Sequence, residues 1–188
     1  MNKKISVKNM ALVGVMAAAV FVSSQFLQIP IPTAIDNTRL HMGNVMCLLG
    51  GLLIGPFWGG LAAGIGSAFF DLINPAYITS APFTFIFKFA MAWICGKFVS
   101  AKRHNEKMLI RSAVGAGLGA FTYVILYLSK AFIENYFILH IPLEAVGLSI
   151  AQKALVSSIN AVVSVVVVVP LSMTLRPAVS RMYQNNEK

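Results

Sequence analysis

The chain has 188 residues, of which 57% are hydrophobic and 11% charged, and it carries a formal net charge of +9. A soluble domain needs about 25% charged residues to cover its surface, so this composition excludes an ordinary water-soluble enzyme and makes lipid the expected solvent. One domain is the default at this length. Cys47 and Cys95, the 2 cysteines, each lie inside an apolar run, which excludes a disulfide framework or a zinc spacing and reads as buried free thiols.

The apolar runs fall at about 10–29, 40–54, 57–73, 83–99, 112–133 and 146–173. Lys3, Lys4 and Lys8 precede the first, and "VSS" (22–24) weakly imitates a cleavage site. That run is expected to be retained as a membrane helix. The second is short and is parted from the third by Gly55-Pro56, a helix-stopping pair. Joined, 40–73 would be a helix of about 50 Å against a hydrocarbon core of about 30 Å. A turn at Gly55-Pro56 instead makes six spans and puts both termini on one side. That side then holds Lys3, Lys4, Lys8, Lys97, Lys102, Arg103, Lys107, Arg111, Arg176, Arg181 and Lys188, 11 of the 15 basic residues. By the positive-inside rule it is the cytoplasm. The opposite side receives Asp36, Asp71, Glu134 and Glu144, four of the 6 acids. The fold expected is all-α: one membrane domain over 1–188, a six-helix bundle with both termini cytoplasmic. The basic excess is thus topology, and no nucleic-acid partner is expected.

Three outer loops follow from this arrangement, 29–41, 73–82 and 134–144, which together are rich in proline and aromatics. Charged groups within membrane helices are costly and usually face an interior. Here they are Asp71, Lys88, Lys130 and Lys153, with Gln152 and Asn160 as neutral company, and all four charges lie in the outer half of the bilayer. Lysines near a surface also snorkel to headgroups, which suits Lys130 best, and Asp71 can equally cap backbone or pair with Lys88. The candidate substrate-binding residues are Arg39, His41, Asp71, Asn74, Tyr77, Lys88, Tyr136, His140, Gln152, Lys153 and Asn160. Tyr77, Tyr136 and Phe137 are suited to stacking on a ring. Arg39, Lys88 and Lys153 outnumber Asp71 among these candidates, so a ligand with a carboxylate or other anionic group is expected.

Small residues form rows on the third helix: Gly59, Ala63 and Ser67 lead up to Asp71, and Gly60, Gly64 and Ala68 run beside them. Such rows let helix backbones approach closely in lipid. The first helix has a looser set in Ala11, Gly14, Ala17, Ala18 and Ala19, equally suited to a partner protein. The chemistry of several classes is absent. Gly96-Lys97 is followed by Phe98 and lacks the upstream glycine of a phosphate loop. Ser67 and His140 have no nucleophile elbow around them. No His-Glu-x-x-His or acidic metal cluster occurs, and neither a catalytic residue nor a cofactor is expected.

The stretch "TRLHMGNVMCLLGGLLIGPFWGGLAAGIGSAFFDLINPAY", continued by "FTFIFKFAMAWICGKF", resembles the substrate-binding S components of energy-coupling factor (ECF) transporters. Thr38-Arg39, Gly43-Asn44, Gly50, Leu53 through Gly55-Pro56, Trp58-Gly59-Gly60, Gly66-Ser67, Asp71, Asn74-Pro75 and Lys88 carry the likeness, over about 60 residues of the first four helices. The resemblance implies a small six-helix protein of the bacterial cytoplasmic membrane that binds a vitamin or related micronutrient from outside. It further implies docking onto a membrane T component and two ABC-type ATPases, with ATP hydrolysis left to those partners. In the family, an Ala-xxx-Ala pattern on the first helix forms part of the docking face. Gly14-xxx-Ala18, with Ala11, is the nearest equivalent here. The rival reading is a stand-alone six-helix facilitator or channel for a small anionic solute. It would need a polar path to the cytoplasm, and "VVSVVVVVPL" (162–171) offers only Ser164.

Overall fold

A computed structural model describes residues 7–100 and 108–184. Six helices run in chain order: α1 Val7–Phe26, α2 Gly43–Ile54, α3 Pro56–Ile73, α4 Ala81–Ser100, α5 Met108–Ile133 and α6 Leu143–Gln184. Five of them are long and apolar enough to cross a membrane; α2, with 12 residues, is the shorter exception. At about 1.5 Å per residue, α2 is about 18 Å long and falls short of a full span on its own. A π-helical turn, Glu134–Ile138, extends α5, and a short 3-10 turn, Ile78–Ser80, precedes α4.

The segment 29–41, read from sequence as an outer loop, forms a β-hairpin, with β1 Gln28–Pro32 antiparallel to β2 Asn37–His41 and Pro30 opposite Arg39. It also shortens α1, which ends at Phe26 rather than near residue 29. Pro30 and Pro32 are compatible with a strand because β1 is an edge strand, where a missing N–H costs no ladder bond. A lone two-stranded hairpin is marginal, and this one is tied down at several points. Met42 N donates to Leu27 O at 3.0 Å, Ala34 N donates to Gln152 Oε1 at 2.8 Å, and Lys153 Nζ donates to Asp36 Oδ2 at 2.6 Å.

α6 is 42 residues long and continues past the expected end at 173, through Pro170 and Pro177. Each proline removes one backbone bond, a loss membrane helices tolerate where neighbours re-satisfy the freed groups. Near that end Arg176 Nη2 donates to Leu52 O at 3.4 Å, so α6 supplies a donor to the last carbonyls of α2.

α3 packs against α1, α2 and α4. Its small residues serve all three. A Cβ on Gly59 would meet the Gly50–Gly51 backbone of α2, one on Gly60 or Gly64 the rings of Phe89 or Phe85 on α4, and one on Gly66 the Ala17 carbonyl of α1. The rows on α3 are therefore spent within the chain. Gly55 has φ 89°, a left-handed conformation that favours glycine, and Pro56 occupies the first turn of α3. Val20, Leu48, Met91, Ala92, Ala116 and Val168 centre the core, drawn from all helices but α3, which adds Ala63.

The described charges sort by end. Arg176 reaches α2 beside the Gly55–Pro56 turn, and Gly96, next to Lys97, packs on Pro56. Asp36, Asp71 and Glu134 line one cavity beneath the hairpin. Of the basic residues used to orient the chain, Lys3, Lys4, Lys102, Arg103, Lys107 and Lys188 lie outside the described residues.

Candidate functional site

The cavity beneath the hairpin has a volume of about 380 Å³, at the lower end of the range for small-molecule sites. Seven of the residues singled out from sequence line it: Arg39, His41, Asp71, Tyr77, Lys88, Lys153 and Asn160. Four do not. Asn74 donates through Nδ2 to Phe70 O at 2.7 Å and to Gln25 Oε1 at 3.3 Å, holding the turn after α3 against α1. Gln152 accepts from Ala34 N and holds the hairpin. Tyr136 stacks on Phe132 away from the cavity. His140 is exposed, with φ 50°.

Asp71 ends the row Gly59, Ala63, Ser67 on α3, the face turned towards α2. Its carboxylate accepts from Arg39 Nη2 at 3.1 Å and is 2% exposed. The pairing of Asp71 with Lys88 weighed from sequence is thus replaced by a pairing with β2. The Arg39 guanidinium also lies 4.0 Å from the Phe70 ring and 4.3 Å from the Tyr77 ring. One ion pair and two aromatic faces therefore fix its plane. Lys130 bonds Glu134 and Ser80. Lys153 bonds Asp36.

Lys88 is held differently. It is 2% exposed, donates to Asn44 Oδ1 on the first turn of α2, and sits with Nζ 3.5 Å from the Tyr123 ring centroid. His41, at the end of β2, is buried, and its Nδ1 has no hydrogen-bond partner. Burial, with the Lys88 and Arg39 charges adding to it, pushes the His41 pKa well below its ordinary value, so the imidazole is neutral. A Cβ on Gly43 would displace the Ser24 hydroxyl and the His41 ring, which pack against its Cα.

Sequence reasoning missed the aromatic walls. Phe83 and Phe87 from α4 and Tyr123 and Tyr127 from α5 all line the cavity. Tyr123 and Tyr127 stack at 6.0 Å, and the Tyr127 hydroxyl lies 3.3 Å from Thr38 Oγ1 on β2. The available signal was their i, i+4 spacing, continued by Lys130 three residues on, which puts Tyr123, Tyr127 and Lys130 on one face of α5. Asp36 was also missed as a lining residue. With Asp36 and Glu134 counted, the cavity has four cations and three carboxylates, so the charge excess that argued for an anionic ligand shrinks to one.

Ala11, Gly14 and Ala18 lie on the exposed side of α1, and a Cβ on Gly14 would meet nothing within 4 Å. Ala17 and Val20 of the same helix are buried instead.

The family model described as ECF-type riboflavin transporter, S component, matches residues 4–177. The chain belongs to that family. A relative from Pyrococcus woesei, described as an uncharacterized protein in gap 3'region, is 34% identical over 115 residues, covering 61% of this chain and 72% of the relative. The S component is thus a membrane-integral, substrate-binding part of an ECF vitamin transporter. In that family the S component binds substrate and associates with a T component and ABC ATPases, which are separate subunits.

Proposed function

We propose that this S component captures riboflavin, or a close flavin relative, in the cavity beneath the hairpin, from the outer side of a bacterial cytoplasmic membrane. The observation that carries the reading is the lining itself, in which aromatic faces and buried hydrogen-bond donors converge under one hairpin. Tyr77, Phe83, Phe87, Tyr123 and Tyr127 suit a flat heterocycle. Arg39, His41, Lys88, Lys153, Ser157 and Asn160 suit its carbonyls and hydroxylated chain, and Asp71 acts by positioning Arg39. The family is named for riboflavin transport, which makes riboflavin the compound to test first.

Both termini are cytoplasmic in this reading, and α2 completes a sixth crossing together with the hairpin above it. Energy comes from a T component and two ABC ATPases, docked in part along the exposed Ala11, Gly14 and Ala18 stripe. A stand-alone facilitator fits less well. Ser164 and Ser172, towards the inner end of α6, donate their hydroxyls to Asn160 O at 2.6 Å and Val169 O at 2.8 Å, so among the described residues they satisfy their own helix instead of offering donors to a solute.

The test is a fluorescence titration of the purified protein with riboflavin, with mass spectrometry of any ligand that co-purifies. Saturable one-to-one quenching is expected. No quenching, with a different vitamin retained through purification, would sink the flavin assignment.

A further inference from the structure

The three carboxylates of the cavity are all engaged by cations: Asp36 by Lys153 at 2.6 Å, Asp71 by Arg39 at 3.1 Å, and Glu134 by Lys130. Among the described residues, Lys88 alone of the cavity's cations has no carboxylate within ion-pair distance. It is among the deepest, at 2% exposure, in the middle of a membrane-spanning helix. An ammonium has three N–H donors. One goes to Asn44 Oδ1 and the Tyr123 ring face approaches the head group, which leaves donor capacity unspent. A second unspent donor is near. Arg39 Nη1 is buried with no partner, and Arg39 and Lys88 both act electrostatically on His41. A buried cation without a counter-charge is costly in any interior and more so in a membrane. Natural structures leave such groups where a ligand completes them.

We propose that the bound flavin completes Lys88. The carbonyl-and-imine edge of its pyrimidine ring enters first and seats on the cavity floor, accepting from Lys88 Nζ with Arg39 Nη1 as the neighbouring donor. The hydroxylated chain leaves N10 on the same edge of the ring as N1, so it starts beside this contact and runs up towards the hairpin, among Asp36, Lys153 and Ser157. The assignment rests on the flavin reading and adds to it an orientation and a discriminating residue. The floor admits a ring edge rich in acceptors, and it rejects a heterocycle that carries positive charge, such as the thiazolium of thiamine. Tyr123 contributes by holding the ammonium with its ring face, an arrangement that leaves no carboxylate to compete with the ligand.

The experiment compares riboflavin with 1-deazariboflavin, in which a C–H replaces the N1 acceptor, on wild-type protein and on Lys88→Met. Wild type is expected to bind riboflavin about 10-fold more tightly than the deaza analogue, the size of one lost hydrogen bond to a charged donor. Lys88→Met is expected to lose about 30-fold in riboflavin affinity and to bind the two compounds equally. A merely structural lysine would weaken both compounds together and keep their ratio. If Lys88→Met does not fold, the wild-type ratio still decides, and equal affinities there overturn the orientation. Riboflavin binding that is unchanged in Lys88→Met overturns the Lys88 assignment alone. Wild-type protein that binds no riboflavin overturns the flavin reading and the assignment with it.

Discussion

Asp71 keeps a carboxylate in an apolar setting because Arg39 reaches it from a different element, 32 residues away in sequence. Removing one partner of a buried pair leaves an uncompensated charge, at a cost of about 3 kcal/mol. Arg39→Met is therefore expected to lower the melting temperature in detergent substantially. The double variant Arg39→Met/Asp71→Asn should lose less than the two single losses combined, since neither then strands a charge. Simple additivity would show that the pair is not coupled. His41 makes a second prediction. Its folded pKa lies below its ordinary value of about 6.5, chiefly through burial and then through Lys88 and Arg39. Above that value neither folded nor unfolded chain binds the proton, so stability does not depend on it. Below it the unfolded chain takes up a proton that the folded chain resists, and stability falls as pH falls. Melting temperatures at pH 7.5 and 5.5 should therefore diverge more for wild type than for His41→Asn. An equal drop in both would contradict a neutral buried imidazole. At this scale several cavity-lining residues were legible in sequence, because Asp71, Lys88 and Lys153 are rare charges in apolar runs and Arg39 stands in the loop above them. Their partners were not. Asp36 and Lys153 stand 117 positions apart, and only the packing of hairpin on helix brings them together.

The elements divide into those whose small residues are used and those whose small residues are free. Gly66→Leu would drive a side chain into the Ala17 carbonyl and Val20, and overpacking at such a helix crossing is expected to abolish the fold, read as loss of a monodisperse peak. Gly14→Leu meets nothing within 4 Å. It is expected to leave melting temperature and riboflavin affinity unchanged and to abolish co-purification with the T component. Normal co-purification would remove α1 from the docking face. The hairpin carries its own prediction. Asp36→Asn weakens its tie to α6 through Lys153, so riboflavin should dissociate about 10-fold faster in stopped flow. Helices were readable from length and hydropathy because lipid demands continuous apolar runs with internal backbone bonding. The hairpin was not, because prolines at alternate positions look like coil until an edge strand is recognised. The end of α6 was misjudged because the apolar run stops at 173, whereas the helix continues through polar residues and Pro177 to Gln184.

On the scale of the whole molecule, the bundle is asymmetric. One end gathers carboxylates, cations and aromatics around a cavity of about 380 Å³. The other is closed by glycine-mediated backbone contacts among Gly51, Pro56 and Gly96. This asymmetry was visible in sequence as the confinement of intramembrane charges to one half of the bilayer. The wall aromatics were not, since phenylalanine and tyrosine in a membrane helix look like any other apolar residue. In the proposed reading, a chain whose cavity opens at one end binds without conducting and depends on partners to release its ligand on the far side. Uptake of radiolabelled riboflavin into proteoliposomes tests this most directly. The protein alone should accumulate none above its own binding stoichiometry. Addition of a T component with its ABC ATPases and ATP should produce sustained uptake. Sustained uptake by the lone protein would contradict the account.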